Sequence, residues 1–75
     1  MDNRETEFAV FCIENSASAC NKSGSEIYQE LNRTDGIRKF LYPSYAALHT
    51  QGKDYITSEV LDYIRQYNPD FLKSN

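Results

Sequence analysis

The chain has 75 residues, a formal net charge of -3 and a sequence pI near 4.9. That length allows one domain with a small core. The acidic balance disfavours a protein that depends on phosphate contacts, and no basic run suggests an anionic membrane surface. With 40% hydrophobic and 25% charged residues, the composition is globular and not disordered.

Residues 4–20 read as the longest helix. Phe8, Phe11, Cys12 and Ala19 recur on one side, and Val10, Ile13, Ala17 and Cys20 on the other. Glu7, Glu14 and Ser18 fill a narrow polar stripe between them. A helix apolar on two sides is expected to be buried between neighbours, so the spacing predicts a central element. Glu5 and Glu7 complement the dipole in its first turns. Asn21-Lys22-Ser23-Gly24 breaks the pattern, and Ser23 with Glu26 three residues on forms a capping box. A second helix over 25–33 then buries Ile27, Tyr28 and Leu31. Thr34-Asp35-Gly36 stops it and caps a short third helix with Ile37, Phe40 and Leu41 inward.

Pro43 marks another boundary and suits the first position of a fourth short helix, which places Tyr45 and Leu48 on one face. Gly52 reads as a left-handed C-terminal stop. Lys53-Asp54-Tyr55-Ile56 is then a short extended or turn-like link. Thr57 caps a fifth helix over 58–67, with Val60, Leu61, Ile64 and Tyr67 on its apolar face. Asn68-Pro69 ends that helix, and Phe71 and Leu72 remain available to dock. The expected fold is all-α: one domain over 1–75, a compact bundle of about five helices round a central N-terminal helix. Its ends are expected to fray at about 1–4 and 73–75.

Residues 1–7 are polar and charged, unlike a signal peptide, and the longest apolar stretch (8–13) is too short to span a bilayer. A cytoplasmic protein with no membrane partner is expected. Cys12 and Cys20 fit that setting. On one helix they stand roughly 12 Å apart along the axis, beyond the reach of a disulfide.

Residues 49–53 carry the most concentrated chemistry. His49 stands beside Thr50, Gln51 and Lys53, flanked by Tyr45 and Tyr55. His changes charge near neutral pH, and Thr and Gln can read a polar partner. These six residues form a candidate partner-contact surface. The competing reading is purely structural: a His in a last turn favours the negative end of the dipole, and Gly52 ends the helix. The tyrosines likewise fit either an interface or a packed core with hydroxyls reaching water. Arg33, Arg38 and Lys39 flank a turn within 25–41 that loosely resembles a helix-turn-helix, and they are the candidate DNA contacts. A solvated basic face is the simpler account, and the acidic balance disfavours nucleic acid.

A nucleophile served by His49 is disfavoured, because Cys12 sits mid-helix on an apolar face and the serines are explained by caps and loops. Two cysteines eight apart and one distant histidine make no zinc pattern. Gly24, Gly36 and Gly52 stand alone and form no phosphate loop. No catalytic residue, metal ligand or cofactor is expected.

Three segments together resemble a bacterial family of short proteins known only as a domain of unknown function. They are Phe8-Ala9-Val10-Phe11-Cys12-Ile13-Glu14, Ser25-Glu26-Ile27-Tyr28, and Leu48-His49-Thr50-Gln51-Gly52-Lys53-Asp54-Tyr55-Ile56. The resemblance covers nearly the whole chain. Its most specific part is Leu-His-Thr-Gln-Gly with a tyrosine two residues past Lys53. It implies a small helical protein, often encoded beside a protein similar to ADP-ribosyltransferases, and hence an antitoxin-like or accessory partner. It carries over no catalytic residues. The expected function is a non-enzymatic protein-interaction module, with a DNA-binding regulator as the alternative. A homodimer stays open.

Overall fold

The computed structural model describes residues 3–73. The fraying expected at 1, 2, 74 and 75 lies outside the described residues, whereas Arg4 and Lys73 both belong to helices. Five α-helices and one π-helical turn follow one another among the described residues: α1 (Arg4–Cys20), α2 (Gly24–Arg33), the π-helical turn (Ile37–Leu41), α3 (Tyr42–Leu48), α4 (Lys53–Tyr67) and α5 (Pro69–Lys73). The fold is the all-α bundle that the spacing predicts. No helix among the described residues is long and apolar enough to cross a membrane.

Helix α1 is the axle. It packs against α2, the π-helical turn, α3 and α4. Its inner face is Phe8, Ala9, Cys12, Ser16 and Ala17, all buried. The small residues let neighbouring backbones approach, and Phe8 fills the space where they diverge. The core closes with Ile27 and Leu31 from α2, Leu41, Leu48, and Ile56, Val60 and Ile64 from α4. Each such aliphatic side chain stabilises the fold by about 1.5–3 kcal/mol on burial. Only one inner face exists, however. Val10 is 53% and Phe11 39% exposed, and Ala19 also faces outward, so α1 is not covered on both sides. The four neighbours leave one side of the central helix open.

The ends of α1 and α2 follow local signals. Asn21 takes a left-handed conformation (φ 60°) and Lys22 N–H donates to the Ala17 carbonyl at 2.9 Å, closing α1. The capping box forms: Glu26 N–H donates to Ser23 Oγ at 3.1 Å, and Ser23 N–H to Glu26 Oε1 at 2.9 Å. On α2, Ile27 and Leu31 point inward as expected, but Tyr28 is 48% exposed, one residue off the buried stripe.

Five expectations fail in the second half of the chain. The expected third and fourth helices are one continuous helical run. Tyr42 N–H donates to the Ile37 carbonyl five residues back, which makes the turn a π-turn. This wider turn accommodates Pro43 without a break, and Tyr42 keeps helical angles (φ -63°, ψ -48°) despite preceding a proline. Gly52 is not a left-handed stop; at φ -70°, ψ 157° it is the extended N-cap of α4. Lys53-Asp54-Tyr55-Ile56 is therefore the first turn of α4 and not a link, and Thr57 is buried inside the helix instead of capping it. The reason is burial. Ile56, Val60 and Ile64 repeat every four residues with at most 3% exposure, and only a helix begun upstream brings Ile56 into that row. Tyr67, expected inward, is 52% exposed.

Phe71 and Leu72 of α5 pack against the core. Lys22 Nζ lies 4.7 Å from the centre of the Phe71 ring, a cation–π contact that ties α5 to the end of α1.

Candidate functional site

Where the first turns of α1 pass the end of α3, a groove of about 320 Å³ opens to the surface. Helix α1 lines it with Arg4, Glu7, Phe8 and Phe11, which follow the three- and four-residue spacing of one helix face. The opposite wall is Tyr45 and His49, with Gln51 and Ile56 beyond. Aromatic contacts fix this wall. Phe8 meets Tyr45 edge to face at 5.5 Å, with the ring planes at 83°. Tyr45 stacks on His49 at 4.3 Å and 9°. Both geometries suit ring quadrupoles.

His49 Nδ1 lies 2.7 Å from the Tyr45 carbonyl oxygen. A carbonyl only accepts, so Nδ1 carries the proton and donates, and Nε2 is left as an acceptor. The His49 N–H also donates to that carbonyl, at 2.9 Å. The last turn of α3 is thus closed twice by one residue, and Gly52, the expected terminator, takes no part in it. The same bonds hold the ring rigidly beside the groove, so the two readings of His49 are compatible.

Of the six expected partner contacts, the structure brings Tyr45, His49 and Gln51 together at this groove. Thr50, Lys53 and Tyr55 are exposed nearby in sequence but do not line it. Arg4, Glu7, Phe8 and Phe11 join the site without having been singled out. Phe8 and Phe11 belong to a side of α1 expected to be buried, and Glu7 to the polar stripe beside it; their three- and four-residue spacing is the signal that groups them.

The three expected DNA contacts lie elsewhere. Arg33 is held by Glu30 at 2.7 Å, a contact that raises the arginine pKa further. Arg38 is ion-paired with Asp35. Lys39 is exposed. Two of the three charges are already balanced by acids one turn away, which weakens them as phosphate contacts.

A second aromatic cluster is structural. Phe40 stacks on Tyr63 at 4.6 Å, Tyr67 leans on Tyr63 at 4.8 Å, and the Tyr63 hydroxyl hydrogen-bonds Thr34 Oγ1 at 3.0 Å. It ties α4 to the turn after α2.

Neither cysteine is paired. Burial pushes the Cys12 thiol up to about 12, and burial is also the main cause that raises Cys20. A thiol so raised is no nucleophile at neutral pH. Among the described residues, no three His, Cys, Asp or Glu side chains gather in a way that could hold a metal ion.

The model of a family described as proteins of unknown function, DUF3791, matches residues 7–67. The chain belongs to that family. No curated protein matches it, and no solved structure does.

Proposed function

For this member of a family of unknown function, we propose a non-enzymatic protein-interaction module whose contact surface is the groove between α1 and α3 with the outer face of α1 beside it. One observation carries the reading. Phe11 is 39% exposed at the wall of a groove floored by packed rings. A large apolar side chain left at the mouth of an aromatic groove marks a binding surface in a chain with so small a core. The rigid Tyr45–His49 wall supports it, because a pre-ordered surface loses little entropy on association.

The finer form of the proposal is an antitoxin-like or accessory role, with an enzyme as the partner. The resemblance to a family encoded beside proteins similar to ADP-ribosyltransferases supports that form. The acidic balance of the chain supports it too, since an acidic module complements a basic cleft.

The test is photo-crosslinking in the native host, with the reactive group at position 11 and, as a control, in place of exposed Gln66 on α4. One specific protein captured from position 11 and not from 66 is expected. With the reactive group moved to exposed Gln51 in the same groove, Phe11→Asp should lose that capture without lowering the melting temperature. No specific capture, together with a chain that runs as a single monodisperse species, would sink the proposal.

A further inference from the structure

Glu7 and Glu14 stand two turns apart on the outer face of α1, roughly 10 Å along the axis. Both are exposed, and neither takes part in an ion pair among the described residues. Between them lie Val10 and Phe11, 53% and 39% exposed. A β-carbon at Gly24 would lie 3.5 Å from Glu14 Oε1, so this charge marks the α1–α2 edge of the face. A helix laid along this face would meet apolar contact at its middle and a carboxylate on either side along the axis, and charges so placed discriminate between partners.

A second copy of the chain fits badly. Antiparallel pairing of two such faces sets Glu7 against Glu14, and parallel pairing sets each glutamate against its equal. Both chains also carry a net charge of -3. The charge that complements this face is basic.

We propose that the outer face of α1 receives an amphipathic basic helix from a partner protein. An apolar side chain of that helix lies over Val10 and Phe11 and enters the adjoining groove. Lys or Arg residues one heptad apart meet Glu7 and Glu14. The inference rests on the interaction-module reading and names the partner's chemistry.

The probes are two synthetic amphipathic helices with the same apolar stripe, one flanked by Lys and Arg and one by Glu. Each is titrated into the full chain and followed by backbone-amide NMR. The basic peptide should bind about tenfold more tightly, since two exposed charge pairs change sign between the probes. The largest shifts should fall on Val10, Phe11 and Gln51, and Glu7→Lys with Glu14→Lys should reverse the preference. Equal binding of both peptides, binding of neither, or shifts centred on Glu59 and Asp62 would overturn the inference. So would self-association in sedimentation that Phe11→Lys abolishes, which would identify a second copy as the occupant. A native partner crosslinked at position 11 through an acidic or non-helical segment would overturn it too, and would leave the proposed function standing. Failure to crosslink any partner is the separate failure of that function.

Discussion

The ring of Tyr63 lies directly over Gly36: a β-carbon there would stand 2.8 Å from Tyr63 Cε1 and 3.1 Å from the Leu31 carbonyl oxygen. The glycine has an ordinary helical φ of -68°. It is required for the close approach, not for a left-handed turn. Tyr63 cannot give way easily, because Phe40 stacks on it and Thr34 holds its hydroxyl. Gly36→Ala would gain up to about 1 kcal/mol of helix propensity. The overpacking, about 1–3 kcal/mol, outweighs it. A melting temperature lowered by several degrees is expected, and Tyr63→Leu should recover part of the loss. A Gly36→Ala protein as stable as the parent would contradict the packing.

Ser16 sits fully buried on the inner face of α1, and its Oγ has no hydrogen-bond partner among the described residues. An unsatisfied buried hydroxyl costs about 1–3 kcal/mol. Ser16→Ala removes it and adds helix propensity. The variant should be stabilised by about 1 kcal/mol, seen as a higher urea midpoint with an unchanged slope. Destabilisation would show that the hydroxyl has a partner.

Cys12 sets an alkaline limit on stability. Its folded pKa is raised to about 12 against an ordinary 9.0. Below pH 9 the thiol keeps its proton in both states, and the contribution is fully present. Between pH 9 and 12 only the unfolded chain loses the proton, so stability falls as pH rises. Cys12→Ala should start lower because of the cavity, yet show a shallower alkaline decline. Parallel pH profiles for the two proteins would refute this. At neutral pH a thiol reagent should label the partly buried Cys20 well before Cys12.

Ser23→Ala removes the side-chain acceptor of the capping box and should cost about 1 kcal/mol, measured by chemical denaturation. Backbone and side-chain hydrogen bonds from Ser23 hold the Glu26 carboxyl below its ordinary value. That contribution is present above the ordinary carboxylate pKa and is lost as pH falls through the lowered one. The parent should therefore lose stability in acid faster than Glu26→Gln. Identical acid profiles would remove the box from the account.

The elements that sequence reading located are those whose signals are local. Ser23 and Glu26 meet across three residues, Asn21 ends α1 within one turn, and Asn68-Pro69 separates α4 from α5. The misreadings all concern competition between a local signal and distant packing. Thr57 looked like a cap, but the row through Ile56, Val60 and Ile64 had to reach α1 and pulled the helix start back to Lys53. Pro43 does stand in the first turn of α3, but the π-turn before it runs into that helix without a break. The site divided in the same way. Tyr45, His49 and Gln51 were legible as one short stretch, whereas Phe8 and Phe11 required knowing which side of α1 goes uncovered. That depends on how the four neighbours of α1 are placed and is not written in any single segment.

The π-helical turn spreads one residue more over its length than an α-helical turn would need. Elsewhere, in α1 or α4, removing one residue would rotate everything after it by about 100° and turn buried side chains to water. Within Ile37–Leu41 the chain can lose one residue and still deliver Tyr45 to Phe8 in the same orientation. The cost would fall on Pro43, whose ring would then collide with a carbonyl four residues back. Relatives that are one residue shorter here should therefore also have replaced the proline, so that the two differences travel together through the family's history.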